Sequence, residues 1–81
     1  NPTMNNESNN QLELVQDYRK QVLIYEELDE KIDKLIMANG GGTANMSEAD
    51  LTQYRELAAQ RNEAQNEMRI LEQQLSMDAD D

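Results

Sequence analysis

Five carboxylates crowd one short stretch of the chain: Glu26, Glu27, Asp29, Glu30 and Asp33. Glu26 and Glu30 stand four residues apart, as do Asp29 and Asp33, so each pair shares a face if the stretch is helical. Oxygen donors at that spacing suit Mg²⁺ or Ca²⁺. Lys31 and Lys34 are interleaved with them, however, and Glu27–Lys31 and Glu30–Lys34 have the spacing of helix ion pairs. The stretch reads as a solvated charged face, and no metal ligand is assigned to it.

Other chemistry finds no residues to carry it. The chain has no His and no Cys. The usual ligands of zinc, copper and haem are missing, and so is the Glu-x-x-His signature of di-iron bundles. Neither imidazole nor thiolate is present to activate a nucleophile or act as one. Ser8 and Ser47 are accounted for as helix caps. The run Gly40-Gly41-Gly42-Thr43 lacks the Gly-Lys-Ser/Thr ending of a phosphate loop. The expectation is a protein that is not an enzyme, with no catalytic residue, metal or cofactor.

Composition narrows the partners. Seventeen acidic residues outnumber seven basic ones, a formal net charge of −10 over 81 residues. Direct contact with nucleic acid or an anionic membrane is not expected of such a chain. No apolar run approaches the ~20 residues of a membrane span. The absence of cysteine carries no mark of an oxidising compartment, which fits a cytoplasmic location. Hydrophobic residues are 37% of the chain, and Phe and Trp are absent. So little apolar surface rarely closes a core in a chain this short without long paired helices or a second chain.

The elements follow from punctuation. Residues 1–7 are polar and aperiodic, an expected disordered lead-in to a hairpin spanning 8–76. Ser8 and Gln11 have the spacing of a capping box, which predicts a helix over 9–38. Asn39-Gly40 is a left-handed stop. The bend, 39–46, contains every glycine of the chain. Ser47 and Asp50 form a second capping box, ahead of a helix over 48–76. Residues 77–81 are an acidic tail.

Both helices carry a seven-residue rhythm. In the first, the rows are Leu14, Gln21, Leu28, Leu35 and Tyr18, Tyr25, Ile32. In the second they are Leu57, Ala64, Leu71 and Tyr54, Arg61, Met68, Leu75. Facing residues of an antiparallel pair have numbers with a constant sum. Leu14 with Leu71, Gln21 with Ala64, and Leu28 with Leu57 sum to 85; Tyr18 with Met68, Tyr25 with Arg61, and Ile32 with Tyr54 sum to 86. Both rows turn about residues 42 and 43, where the glycines stand. The fold class is therefore all-α, a two-helix antiparallel coiled-coil hairpin. Arg61 is the one charge in the seam. It should lie beside Tyr25, either against the ring or, the preferred alternative, reaching to the edge for a surface carboxylate.

The first helix holds more apolar residues than one partner covers. Val15, Val22 and Ile36 form a further row, and Leu12, Leu23, Ile24 and Met37 add to it. This surplus predicts a partner surface at Val15, Val22, Leu23, Ile24 and Ile36, with a second copy as the simplest occupant and a four-helix bundle as the product. In size and layout the hairpin resembles small export chaperones of type III secretion. As an acidic hairpin it also resembles the coiled-coil arm of Gre-type transcript cleavage factors, although its tip is Gly-rich and Glu48 and Asp50 are first-turn helix residues. The expected function is protein–protein interaction: an adaptor, assembly or chaperone-like module that binds itself and a further, unidentified protein. The alternative is an acidic mimic of nucleic acid that inhibits a DNA- or RNA-binding enzyme, acting through Glu26, Glu27, Glu30, Asp33 and the Asp78–Asp81 tail.

Overall fold

The computed structural model describes the backbone of residues 2–80 and the side chains of residues 10–76. Two helices, α1 (Pro2–Ala38) and α2 (Glu48–Asp80), lie against each other as an antiparallel hairpin. The molecule is a rod, 60 × 16 × 16 Å. Its radius of gyration, 17.8 Å, is well above the ~12 Å of a compact domain of this length.

At the bend the helices stop and start where the sequence places those events, at Ala38 and Glu48. At their outer ends they run past the expected 9 and 76, to Pro2 and Asp80. Pro2 is tolerated in a first turn, and neither Gly nor Pro interrupts the chain between it and Asn39. A possible cap at Ser8 does not stop a helix that nothing else breaks. The backbone of residues 2–7, expected as a disordered lead-in, belongs to α1, while the side chains of Ser8 in the expected capping box and of the acidic tail at 77–81 lie outside the described residues.

The stop at Ala38 is a Schellman motif. Gly41 N–H donates to the Ile36 carbonyl at 2.9 Å and Gly40 N–H to the Met37 carbonyl at 3.4 Å. Gly40 sits at φ +82° and Gly41 at φ +94°, a region from which a Cβ is repelled. The Asn39 side chain adds a third cap, donating to the Leu35 carbonyl at 2.9 Å. Three of the last four carbonyls of α1 thereby find donors.

On the far side of the bend, Ser47 Oγ accepts from Asp50 N–H at 3.1 Å, half of the expected capping box. The reciprocal half is replaced. The Asp50 carboxylate accepts instead from Asn39 Nδ2, at 3.3 Å, and so joins the end of α1 to the start of α2. Met46 and Leu51 occupy the N′ and N4 positions of a hydrophobic staple. Met46 is buried, a core residue contributed by the bend itself.

The core is thin. Leu28, Ile32 and Leu57 form its centre, with Ile24, Leu35, Ile36 and Tyr54 packed on them; Ala64 and Leu71 extend the buried line along α2. Ile32, at 2% exposed, is the most deeply buried of them. The remaining seam positions, Leu14, Tyr18, Gln21, Tyr25, Arg61, Met68 and Leu75, are half-buried.

Candidate interaction surface

Among the described residues, three polar contacts join the two helices. Tyr18 donates its hydroxyl hydrogen to Glu72 Oε1 at 2.8 Å, Arg61 pairs with Asp29, and Asn39 bonds Asp50 at the bend. The first two share one geometry. A helical side chain leans toward its own N-terminus. Tyr18 therefore reaches the level of Leu14, whose opposite number, Leu71, is next to Glu72. Arg61 likewise reaches the level of Leu57, opposite Leu28 and next to Asp29. Of the two destinations weighed for Arg61, the structure selects the carboxylate.

Tyr18 has its phenol pKa raised above the ordinary value of 10.0. The hydrogen bond to Glu72 is the main cause, followed by loss of solvent and by the charge of the same carboxylate. Among the carboxylates of the crowded stretch, Asp29 is committed to Arg61 and Glu30 lies 3.6 Å from Lys34, both ends exposed. Glu26, Glu27 and Asp33 face solvent. Among the described residues, no group of three or more metal-ligating side chains is placed to hold an ion, and no helix is long and apolar enough to cross a membrane.

The five apolar residues of α1 singled out as a partner surface do not form one face. Val15, Val22 and Ile36 do: they repeat along one flank of the seam and are half-buried. Ile24 and Ile36 pack on the hairpin's own core. Ile24 lies on the opposite flank, in an open groove of about 350 Å³ with Gln21, Leu28 and Ala64. Leu23, 67% exposed, shares with Met37, 74% exposed, a row at the back of α1, away from α2. A shallow depression of about 380 Å³ runs between Tyr18, Val22 and Leu23, bordered by Arg19 and Glu26.

The structure adds residues that α1 alone does not reveal. Leu51 and Ala58, both half-buried, stand on α2 along the same flank as Val15, Val22 and Ile36. Their signal in the sequence is positional. Ile36 with Leu51, Asp29 with Ala58, Val22 with Gln65, and Val15 with Glu72 all sum to 87, a third register beside the seam. It is hard to notice, because only one large apolar residue of α2 stands in it.

No protein-family model matches this chain, and neither a curated protein nor a solved structure is detectably similar to it.

Proposed function

We propose that the chain is a non-enzymatic protein–protein interaction module, an adaptor, assembly or chaperone-like hairpin. Its coiled-coil seam holds two helices in register, and its uncovered apolar flank takes a partner. The supporting observation is the row Val15, Val22 and Ile36, which shares one heptad position, interrupted by Asp29, and is only part-buried beside a completed seam. Fully burying an exposed side chain of this kind is worth about 1.5–3 kcal/mol, of which these part-buried residues have only a fraction left to gain. Several such fractions together are what would hold an apolar helix or a second copy, the latter giving a four-helix bundle.

The test is capture of a partner from the source lysate by the full chain, eluted stepwise with salt. Apolar docking survives high salt and is lost in Val22→Glu. It persists when Glu27 and Glu30, which lie off that flank, are changed to Lys. An enzyme of nucleic acid that elutes at moderate salt, and is lost on that charge reversal, favours mimicry by the acidic face instead.

A further inference from the structure

We infer that the docking face is the two-helix flank made by Val15, Val22 and Ile36 of α1 with Leu51 and Ala58 of α2, and that its occupant is a second copy of this chain. This rests on the interaction-module reading and gives that module its partner.

Charge is the first argument. Two chains of net charge −10 repel unless they meet where that charge is absent. The apolar row and the row bordering it on each helix, together with Arg61, gather all four arginines of the chain: Arg19, Arg55, Arg61 and Arg69. Five carboxylates accompany them: Glu26, Asp29, Asp33, Glu48 and Glu72. The flank is within one charge of neutral, so nearly the whole negative charge belongs to the other residues. Within the flank, Asp29 is already paired with Arg61, and Glu72 accepts from Tyr18. The rims differ in net sign, since Glu26 and Asp33 outnumber Arg19 along α1 and Arg55 and Arg69 outnumber Glu48 along α2. A copy of the same surface thus brings both signs to meet them, whereas a strongly basic partner would find little on this flank to neutralise.

Area is the second. The chain exposes 6260 Å², against about 5,000 Å² for a compact monomer of its mass. The flank from Val15 to Ile36 runs about 32 Å along a rod 16 Å wide, about 500 Å² per partner and so near the ~1,000 Å² in total that a specific interface must clear. The flank is apolar on both helices at Ile36 and Leu51 and on one helix at Val15, Val22 and Ala58, and a copy covers it without disturbing the seam.

Sedimentation equilibrium of the full chain tests this. Wild type should show a two-chain mass at tens of micromolar. Val22→Glu and Ala58→Glu, at half-exposed sites outside the buried core, should each raise the dissociation constant at least tenfold. Met37→Glu, 74% exposed at the back of α1, should leave it unchanged. A one-chain mass for wild type at high concentration overturns the inference. So does a two-chain mass retained by helical Val22→Glu and Ala58→Glu, or one abolished by Met37→Glu. If both flank variants lose helicity, the wild-type mass alone decides. A monomer that still captures a foreign protein through Val22 overturns the self-pairing and leaves the module reading standing. A dimer that captures nothing further does the reverse to its adaptor role.

Discussion

At the scale of single residues, two polar side chains of the seam, Tyr18 and Arg61, find carboxylates at its rim. Arg61 occupies an apolar row but leans back one turn to Asp29, with the two side chains 32% and 42% exposed. A pair this open to solvent contributes about 0.2–1 kcal/mol. A double-mutant cycle over Arg61→Ala and Asp29→Ala should return a coupling in that range, and a coupling of zero would remove this contact from the account. Tyr18 gives a pH signature. Its raised pKa means that the protonated phenol is favoured in the folded chain. The contribution is full below pH 10, the unperturbed value, and is lost as pH rises through the raised one. Tyr18→Phe should therefore be less stable than wild type near neutrality, and the gap should close and then invert in strong alkali. Chemical denaturation at both pH values measures this; a gap that ignores pH contradicts it. The preferred destination of Arg61 was legible from the sequence, since arginine in an apolar row seeks an edge. The Asn39–Asp50 contact was not, because a capping-box spacing names the Asp50 carboxylate's local partner and says nothing of one across the bend.

At the scale of elements, the bend divides its labour among three glycines unequally. Gly40 and Gly41 alone have positive φ among the described residues, and an added Cβ at any of the three meets nothing within 4 Å. The same substitution should thus have opposite signs two residues apart. Gly40→Ala forces a left-handed alanine and should cost about 1–2 kcal/mol. Gly42→Ala should be neutral or stabilise by up to about 1 kcal/mol, by restricting the unfolded chain. Equal effects in thermal denaturation would refute the Schellman assignment. Ser47→Ala, which removes the acceptor for Asp50 N–H, should cost about 1 kcal/mol by the same measurement. The inner ends of both helices were readable because Gly and Ser punctuate them. The outer ends were not, since nothing between Pro2 and Asn9 forbids a helix and a lone cap spacing cannot enforce a start. Met46 escaped notice because it belongs to no periodic row: a bend residue enters the core by position alone.

At the scale of the whole molecule, the fold was legible because two heptad rows and a glycine cluster agree on one centre. The candidate site was legible only in part. Val15, Val22 and Ile36 declared themselves by spacing. Ile24 and Leu23, equally apolar, sit on other sides of α1, and composition cannot tell a flank from a back. Leu51 and Ala58 emerge only when α2 is laid against α1. The resulting rod has a thin core, one nearly neutral apolar flank, and charge elsewhere. On the proposed reading, its helices gain stability from a second copy that covers that flank. Thermal unfolding of the full chain, followed by helix content from about 1 μM to about 1 mM, tests this most directly. A midpoint that climbs with concentration is the result predicted for a hairpin completed by a second copy. A midpoint that stays fixed across that range would mean that the hairpin stands alone, with its flank left to solvent.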